Sequence, residues 1–384
     1  VKNQSDKNNA LFCCLQCGEC CGAWNLPIEK DLFERLIKNE WIQARLKETD
    51  TAFQDIDGDI YLPKVKGICV FHNPQNKLCE IHQYLGEELK PIECQRSPFA
   101  FAKDKEGRLY IDTSFYCKAI VEGQQIQQNF ELNETFLKKF DVFEFPDQIL
   151  LTPGVLIPYQ DLLALRSFIC DYIYDSCIDK PLADWHETFL LIYKSLTEVE
   201  KQLKVSSQKS PPLEILKEKL APSYLIKLYK EKHSLLEALF LRKQRIFPDS
   251  IKIYCKKGVL KEPIISEELN LEKISKLKYP PDKTINHALL RYTLNIISRN
   301  ILYAHGHSFK GIYTAAYLAY VLANWYARAL TCVDQCEEVD LFHQLLAIRI
   351  TERYYIGHNV KFMELFRQPA HLKKLHFILT TNII

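Results

Sequence analysis

Phe12-Cys13-Cys14-Leu15-Gln16-Cys17-Gly18-Glu19-Cys20-Cys21 places five cysteines within nine residues, and Cys69, Cys79, Cys94 and Cys117 follow at longer range. Nine of the 14 cysteines therefore lie in the first 117 of 384 residues. Adjacent cysteines, and cysteines two residues apart in one turn, cannot readily pair, because a disulfide needs Cα atoms about 4.4–6.8 Å apart and matched Cβ directions. They can converge on an ion. A soft thiolate set of this density selects zinc or an iron–sulfur cluster, whereas magnesium and calcium take oxygen ligands. A disulfide framework and a set of inert buried thiols are the competing readings, and the crowding in one loop favours metal over both.

The spacing permits two registers. Cys14, Cys17 and Cys20 read as C-x2-C-x2-C, the opening of bacterial ferredoxin-type loops, and Cys13, Cys17 and Cys20 as C-x3-C-x2-C, the three-thiolate spacing of radical S-adenosylmethionine enzymes. Gly18 permits a tight turn that faces several sulfurs toward one point. Zinc and iron stay open on residue types alone. Eight cysteines suit two tetrahedral zinc sites, while a cubane 4Fe–4S cluster uses three or four and leaves the rest to structure or a second centre.

Outward from the cluster, residues 11–123 read as a first domain. Pro27 to Lys47 has Leu32, Phe33, Leu36, Ile37, Trp41 and Ile42 at helical spacing, with Pro27 suited to the first turn. Asp57-Gly58 between Phe53, Ile56, Ile60 and Tyr61 predicts a hairpin, which leads through Lys64-Val65-Lys66-Gly67 to Cys69. Asp104 to Gly107, between Phe99-Ala100-Phe101 and Leu109-Tyr110-Ile111, predicts a second hairpin ahead of Cys117.

The succession C-x2-C-G-x-C-C from Cys14, G-x-C-x-F from Gly67, C-x-I-H from Cys79 and K-P-x-x-C-x-x-x-P-F from Lys90 resembles the zinc- or iron-chelating cysteine-cluster family. Within that group it is most similar to the flagellin lysine-N-methylases. Those carry a paired cysteine with a tryptophan three residues on, as in Cys21 and Trp24. They also carry a Gly-Glu-x-Leu segment leading to a cysteine and a proline, as in Gly86 to Leu89, Cys94 and Pro98. A last cysteine after a short strand is matched by Cys117. The resemblance covers about the first 120 residues. It implies eight metal-site thiolates, Cys14, Cys17, Cys20, Cys21, Cys69, Cys79, Cys94 and Cys117, with Cys13 extra.

His72 and His82 each stand three residues after a cysteine, within reach of the same ion. The plainer reading of each, a histidine at the surface or bonded to a carbonyl, is preferred. Arg96 is read as pairing with an acidic group of a neighbouring helix rather than with a bound cofactor.

Beyond a polar linker at 124–129 the pattern turns helical, and residues 140–384 read as a second domain. Helices are expected near 158–178, 182–204, 212–244, 284–304, 309–331, 336–355 and 359–370. Breaks are expected at Pro211-Pro212, Pro248 and Pro280-Pro281, a loop at 206–210, and a short strand at 251–255. The uncharged run Gly311–Ala327 has 17 residues, short of the roughly 20 a membrane span needs, and reads as a buried helix. Cys170 and Cys177 read as core thiols, Cys332 and Cys336 as ordinary thiols, and His305-Gly306-His307 as a polar turn. The fold class is thus α+β, a small metal-organised unit with short hairpins followed by a mostly helical one.

The composition excludes several classes. Fifty basic against 48 acidic residues give a net charge of +2, with no global footprint for nucleic acid or an anionic membrane. Residues 1–10 carry no apolar secretory core, and reduced thiols place the expectation in the cytoplasm. No glycine-rich phosphate or dinucleotide loop follows a strand. Two functions remain in view. One is an S-adenosylmethionine-dependent methylase that uses an iron–sulfur cluster and acts on a lysine side chain of a partner protein. The other is a non-catalytic zinc- or iron-chelating module that binds a partner. The sequence assigns no catalytic or cofactor-binding residue.

Overall fold

Apolar residues at helical spacing do fold as helix after the cysteine loop, but as two pieces. The computed structural model describes residues 15, 17–23, 27–123, 137–140, 142–205, 211–220, 259–262, 264–280 and 282–357. Helices Lys30–Leu36 and Glu40–Glu48 replace the single helix expected over 27–47. Asn39 causes the break. It takes extended backbone, and its Oδ1 accepts from Trp41 N and Ile42 N at 3.1 and 3.2 Å, which starts a new helix with a capped end. Pro27 does not open a helix. Pro27–Ile28 is a strand paired with Ile60 and Tyr61.

The Asp57-Gly58 hairpin forms as expected, Gln54–Ile56 against Asp59–Tyr61, with both turn residues at positive φ. A further hairpin, Lys64–Val65 against Ile68–Cys69, turns at Lys66-Gly67, where the sequence suggested only a connection. Helices Glu80–Leu85 and Ile92–Arg96 follow, then the expected hairpin Phe99–Lys103 with Leu109–Thr113, and helix Lys118–Glu122. Ile28, Leu32, Leu36, Ile42, Leu46, Leu62, Val70, Phe71 and Ile81 form one buried core, and Cys69, Cys79 and Cys94 pack against it. Three of the eight metal-site candidates are thereby fixed to the wall of a hydrophobic core.

By packing, the chain divides into two compact units. One runs through Phe101 and resumes over Tyr110–Phe143, and the other takes Ala102–Leu109 and everything from Glu144. The second unit is mostly helical, with helices Tyr159–Cys177, Leu182–Val205, Pro212–Leu220, Lys283–Ser298, Phe309–Val333 and Leu341–Thr351. Phe309–Val333 is its axis. It carries no charge from Gly311 to Ala327, so it can be enclosed on all sides, and nearly all of its residues are buried. Its tyrosines donate where they end: Tyr313 to Phe189 O at 2.8 Å and Tyr320 to Leu182 O at 2.6 Å.

Several expectations for this unit are corrected. The helix expected over 284–304 divides at Arg299 into Lys283–Ser298 and Asn300–Ala304. The helix expected from 336 begins at Leu341. Its cap is Asp340, which accepts from His343 N at 2.9 Å, while Val339 N donates to Lys278 O and holds the preceding residues extended. It runs on as a π-helical turn, Glu352–Ile356. Two hairpins were missed, Gln148–Thr152 with Val155–Pro158 and Val259–Glu262 with Glu267–Asn270. The expected features at 124–129, 206–210, 221–244, Pro248, 251–255 and 359–370 lie outside the described residues.

Candidate metal centre

Cys20, Cys21, Cys69, Cys79 and Cys117 stand at the ends of elements. Cys20 and Cys21 open the one-turn helix Cys20–Ala23, and Cys69 ends its hairpin. Cys79 and Cys117 precede helices Glu80–Leu85 and Lys118–Glu122, and Cys94 lies within Ile92–Arg96. Cys17, Cys21, Cys69, Cys79, Cys94 and Cys117 are half-buried thiols, Cys20 is exposed, and Cys14 lies outside the described residues. Gly22 packs on the 64–69 hairpin, 3.6 Å from Gly67 O as measured from a Cβ at that position. Tyr116, next to Cys117, donates from its hydroxyl to Glu19 O at 3.1 Å. The loop and the distant cysteines are thus tied together through backbone contacts.

The thiols feel one another electrically. The Cys21 thiol donates to the Cys20 sulfur, and this bond holds Cys20 down at about 6, with partial desolvation by its surroundings opposing and Lys90 assisting. The same bond pushes Cys21 far above the ordinary thiol range, followed by burial and by the charges of Cys20, Cys69 and Cys79. Burial pushes Cys69 up to about 12, with Cys79 and Cys20 adding to it. Burial likewise raises Cys94, with Cys69, Cys79 and Cys20 adding. Burial lifts Cys117 to about 11, and Cys17 and Cys20 add to that. So Cys20, Cys21, Cys69, Cys79 and Cys94 share one electrostatic neighbourhood, Cys117 joins it through Cys20, and Cys17 acts on Cys117. Thiolates crowded this way repel, and a cation among them reverses the sign of the problem.

Two residues that spacing alone did not mark hold this region in place. Glu80, adjacent to Cys79, is buried, faces Arg45 Nε at 3.1 Å and accepts from Asn73 Nδ2 at 3.1 Å. Arg45 Nε also donates to Val70 O at 3.1 Å. Arg45 is distant in sequence, and only the fold brings it there. Arg96 pairs with Glu93 of its own helix at 2.5 Å, not with a neighbouring helix. His82 is exposed.

His72 is placed differently. Its backbone N donates to Cys69 O at 3.0 Å, and it bridges to Cys79. Its Nε2 is fully buried and has no hydrogen-bond partner among the described residues. Thiols and imidazole are donor types that suit a zinc or iron ion. Among the described residues no three His, Cys, Asp or Glu side chains stand close enough together to hold one. In the second unit, Cys170 and Cys177 are core thiols, and His305 and His307 flank the turn at Gly306, with His307 buried. Cys332 lies on the long helix and Cys336 is exposed beyond it.

Residues 13–118 match the model of the CxxCxxCC family, described as "Putative zinc- or iron-chelating domain". All eight candidate cysteines fall inside the match. An uncharacterized protein of Methanocaldococcus jannaschii is 31% identical over 136 residues, 34% of this chain and 45% of that protein. The chain thus spans less than half the length of the curated relative it matches. No solved structure matches it. The family match supports a metal-binding cysteine-cluster protein that chelates zinc or iron. No described helix is long and apolar enough to cross a membrane.

Proposed function

We propose that a metal-holding domain at 11–123 binds zinc or iron through Cys14, Cys17, Cys20, Cys21, Cys69, Cys79, Cys94 and Cys117. The finer reading is that the protein, with a helical domain at 140–384, is an S-adenosylmethionine-dependent protein lysine N-methylase. What supports the metal reading is the match of residues 13–118 to a zinc- or iron-chelating cysteine-cluster family, together with the packing of Cys69, Cys79 and Cys94, which arrive from three separate segments, against one hydrophobic core. Unpaired thiols of that density lack a reason; shared ligation supplies one. Thiolate ligation also suits a reducing compartment, which favours the cytoplasm.

The methylase reading is supported by the resemblance of the first 120 residues to the flagellin lysine-N-methylases. A bound iron–sulfur cluster would supply an open iron to hold the amino and carboxylate groups of the methyl donor. The chain's own residues hold that region still: Arg45, Glu80 and Asn73 lock the segment from Val70 to Glu80, and Tyr116 tethers Glu19. In the transfer itself a deprotonated lysine amine of the partner takes the methyl group from the sulfonium, whose sulfur keeps the bonding electrons. The proton must leave for a base first.

The test is calorimetric titration of S-adenosylmethionine into the full chain after iron and sulfide have been supplied without oxygen, with Cys17→Ala alongside. The expected result is binding in the unaltered chain and loss in Cys17→Ala. A metal-loaded chain that takes up no S-adenosylmethionine would rule out the methylase reading and leave the metal site standing.

A further inference from the structure

A cleft of about 330 Å³ opens in the first unit between helix Lys30–Leu36, the stretch from Glu88 to Arg96, and Lys139-Phe140. That volume lies at the small end of the roughly 300–1,000 Å³ over which ligand sites range. Glu29, Asp31, Glu88 and Glu93 bring negative charge to its wall, and Arg35, Lys90, Arg96 and Lys139 bring as much positive charge. Part of this charge is already engaged: Glu29 Oε1 accepts from Ile92 N at 3.2 Å, and Glu93 pairs with Arg96 at 2.5 Å. Among the described residues Arg35, Lys90 and Lys139 form no ion pair, and neither do Asp31 and Glu88. Gln95, also in the wall, is fixed by its Nε2, which donates to Lys90 O at 2.7 Å. Its Oε1 is buried and has no hydrogen-bond partner among the described residues. A buried acceptor left this way is costly, and a donor brought by a ligand removes the cost.

The mixed lining selects the ligand. A simple anion would meet the cations but also the carboxylates and the Gln95 acceptor, and a simple cation would meet Arg35, Lys90 and Lys139. A molecule that carries an ammonium close beside a carboxylate satisfies both halves of the wall. Leu32, Ile92 and Phe140 add apolar surface. We propose that this cleft binds an α-amino acid with an apolar side chain, its carboxylate held by Arg35, Lys90 and Lys139 and its ammonium donating to Gln95 Oε1 and Glu88. The proposal rests on neither the metal reading nor the methylase reading, because no residue it uses is a candidate metal ligand.

The test is calorimetric titration of L-leucine into the full chain purified without oxygen. N-acetyl-leucine, which lacks the ammonium, and leucine methyl ester, which lacks the carboxylate, serve as controls. Leucine should bind at least about tenfold more tightly than either. Arg35→Ala and Glu88→Gln should each weaken it about three- to tenfold, and Gln95→Met about tenfold. Glu34→Gln, on the same helix but outside the cleft, should change nothing. Displacement of leucine by S-adenosylmethionine would assign the cleft to the amino-acid end of a larger molecule, and no displacement to a free amino acid; both uphold the proposal. No heat from leucine at millimolar concentration overturns it. So does equal binding of N-acetyl-leucine or inorganic phosphate, or binding unchanged in Arg35→Ala and Glu88→Gln. Those two side chains are exposed, so their loss leaves the fold in place and the test stands even where Gln95→Met does not fold.

Discussion

Arg45 Nε lies 3.1 Å from Glu80 Oε2, joining helix Glu40–Glu48 to the residue that follows Cys79. Glu80 is almost fully buried and Arg45 only partly so. Removing one partner strands a charge in a poorly solvated site. Glu80→Ala should cost the first unit about 2–4 kcal/mol, somewhat below the loss at a fully enclosed pair. Hydrogen exchange of the amides in Glu40–Glu48 should rise accordingly, and metal affinity measured against a chelator should fall about tenfold. Unchanged exchange would mean that the pair does not anchor Cys79.

Gly18→Ala combines two penalties. The backbone at φ +71 disfavours any side chain by about 1–2 kcal/mol, and the new methyl group meets the His72 ring. Pairing it with His72→Ala should relieve the contact but not the backbone term. The expected outcome is a stability deficit in Gly18→Ala that shrinks, without vanishing, in the double variant. Additive losses would contradict the contact.

Cys170 and Cys177 provide a pH test away from the cluster. Burial lifts their thiols to about 11 and about 12, with the Ser298 and Thr188 hydroxyls respectively pulling back. An unfolded thiol ionises near 8.5. Because the folded values are raised, their contribution is complete below about 8.5 and is lost as pH climbs toward 11–12. At pH 9.5 the two together should account for a loss of about 3 kcal/mol relative to pH 7. Urea midpoints of the unaltered chain should fall over this range, and those of Cys170→Ala/Cys177→Ala should fall less.

Arg299 and Glu352 pair at 2.9 Å in the core of the second unit, and both are nearly sealed from solvent. Arg299 also donates to Asn295 Oδ1 at 2.9 Å. Glu352→Ala should cost about 3–5 kcal/mol. Replacing both partners by methionine should recover much of that, since the stranded charge is then absent. Thermal unfolding of the three proteins decides it.

Some of this was legible in the sequence because the signal was local. Asp57-Gly58 marks its own hairpin, and the uncharged run from Gly311 marks its own burial. The crowded cysteines announce metal chemistry without help from the fold. What stayed hidden depended on partners far away or on single caps. Nothing in Trp41 or Ile42 says that Asn39 restarts the helix, and nothing near residue 336 says that Lys278 holds Val339 extended. Pro153-Gly154 between two apolar runs was a usable turn signal for the missed hairpin at 148–158, obscured by the helices that follow. Arg45 could not be linked to Glu80, nor the orphaned nitrogen of His72 to Gly18, without the packing that brings them together.

The most direct test of the central claim is elemental analysis, with an absorption spectrum, of the full chain purified without oxygen, beside Cys17→Ala. The account predicts zinc or iron bound in stoichiometric amount to the unaltered chain, and its loss from Cys17→Ala. Iron with acid-labile sulfide and visible colour would identify a cluster, and colourless zinc a tetrahedral site. A folded chain that carries neither metal, or a Cys17→Ala variant that retains its full complement, would contradict it.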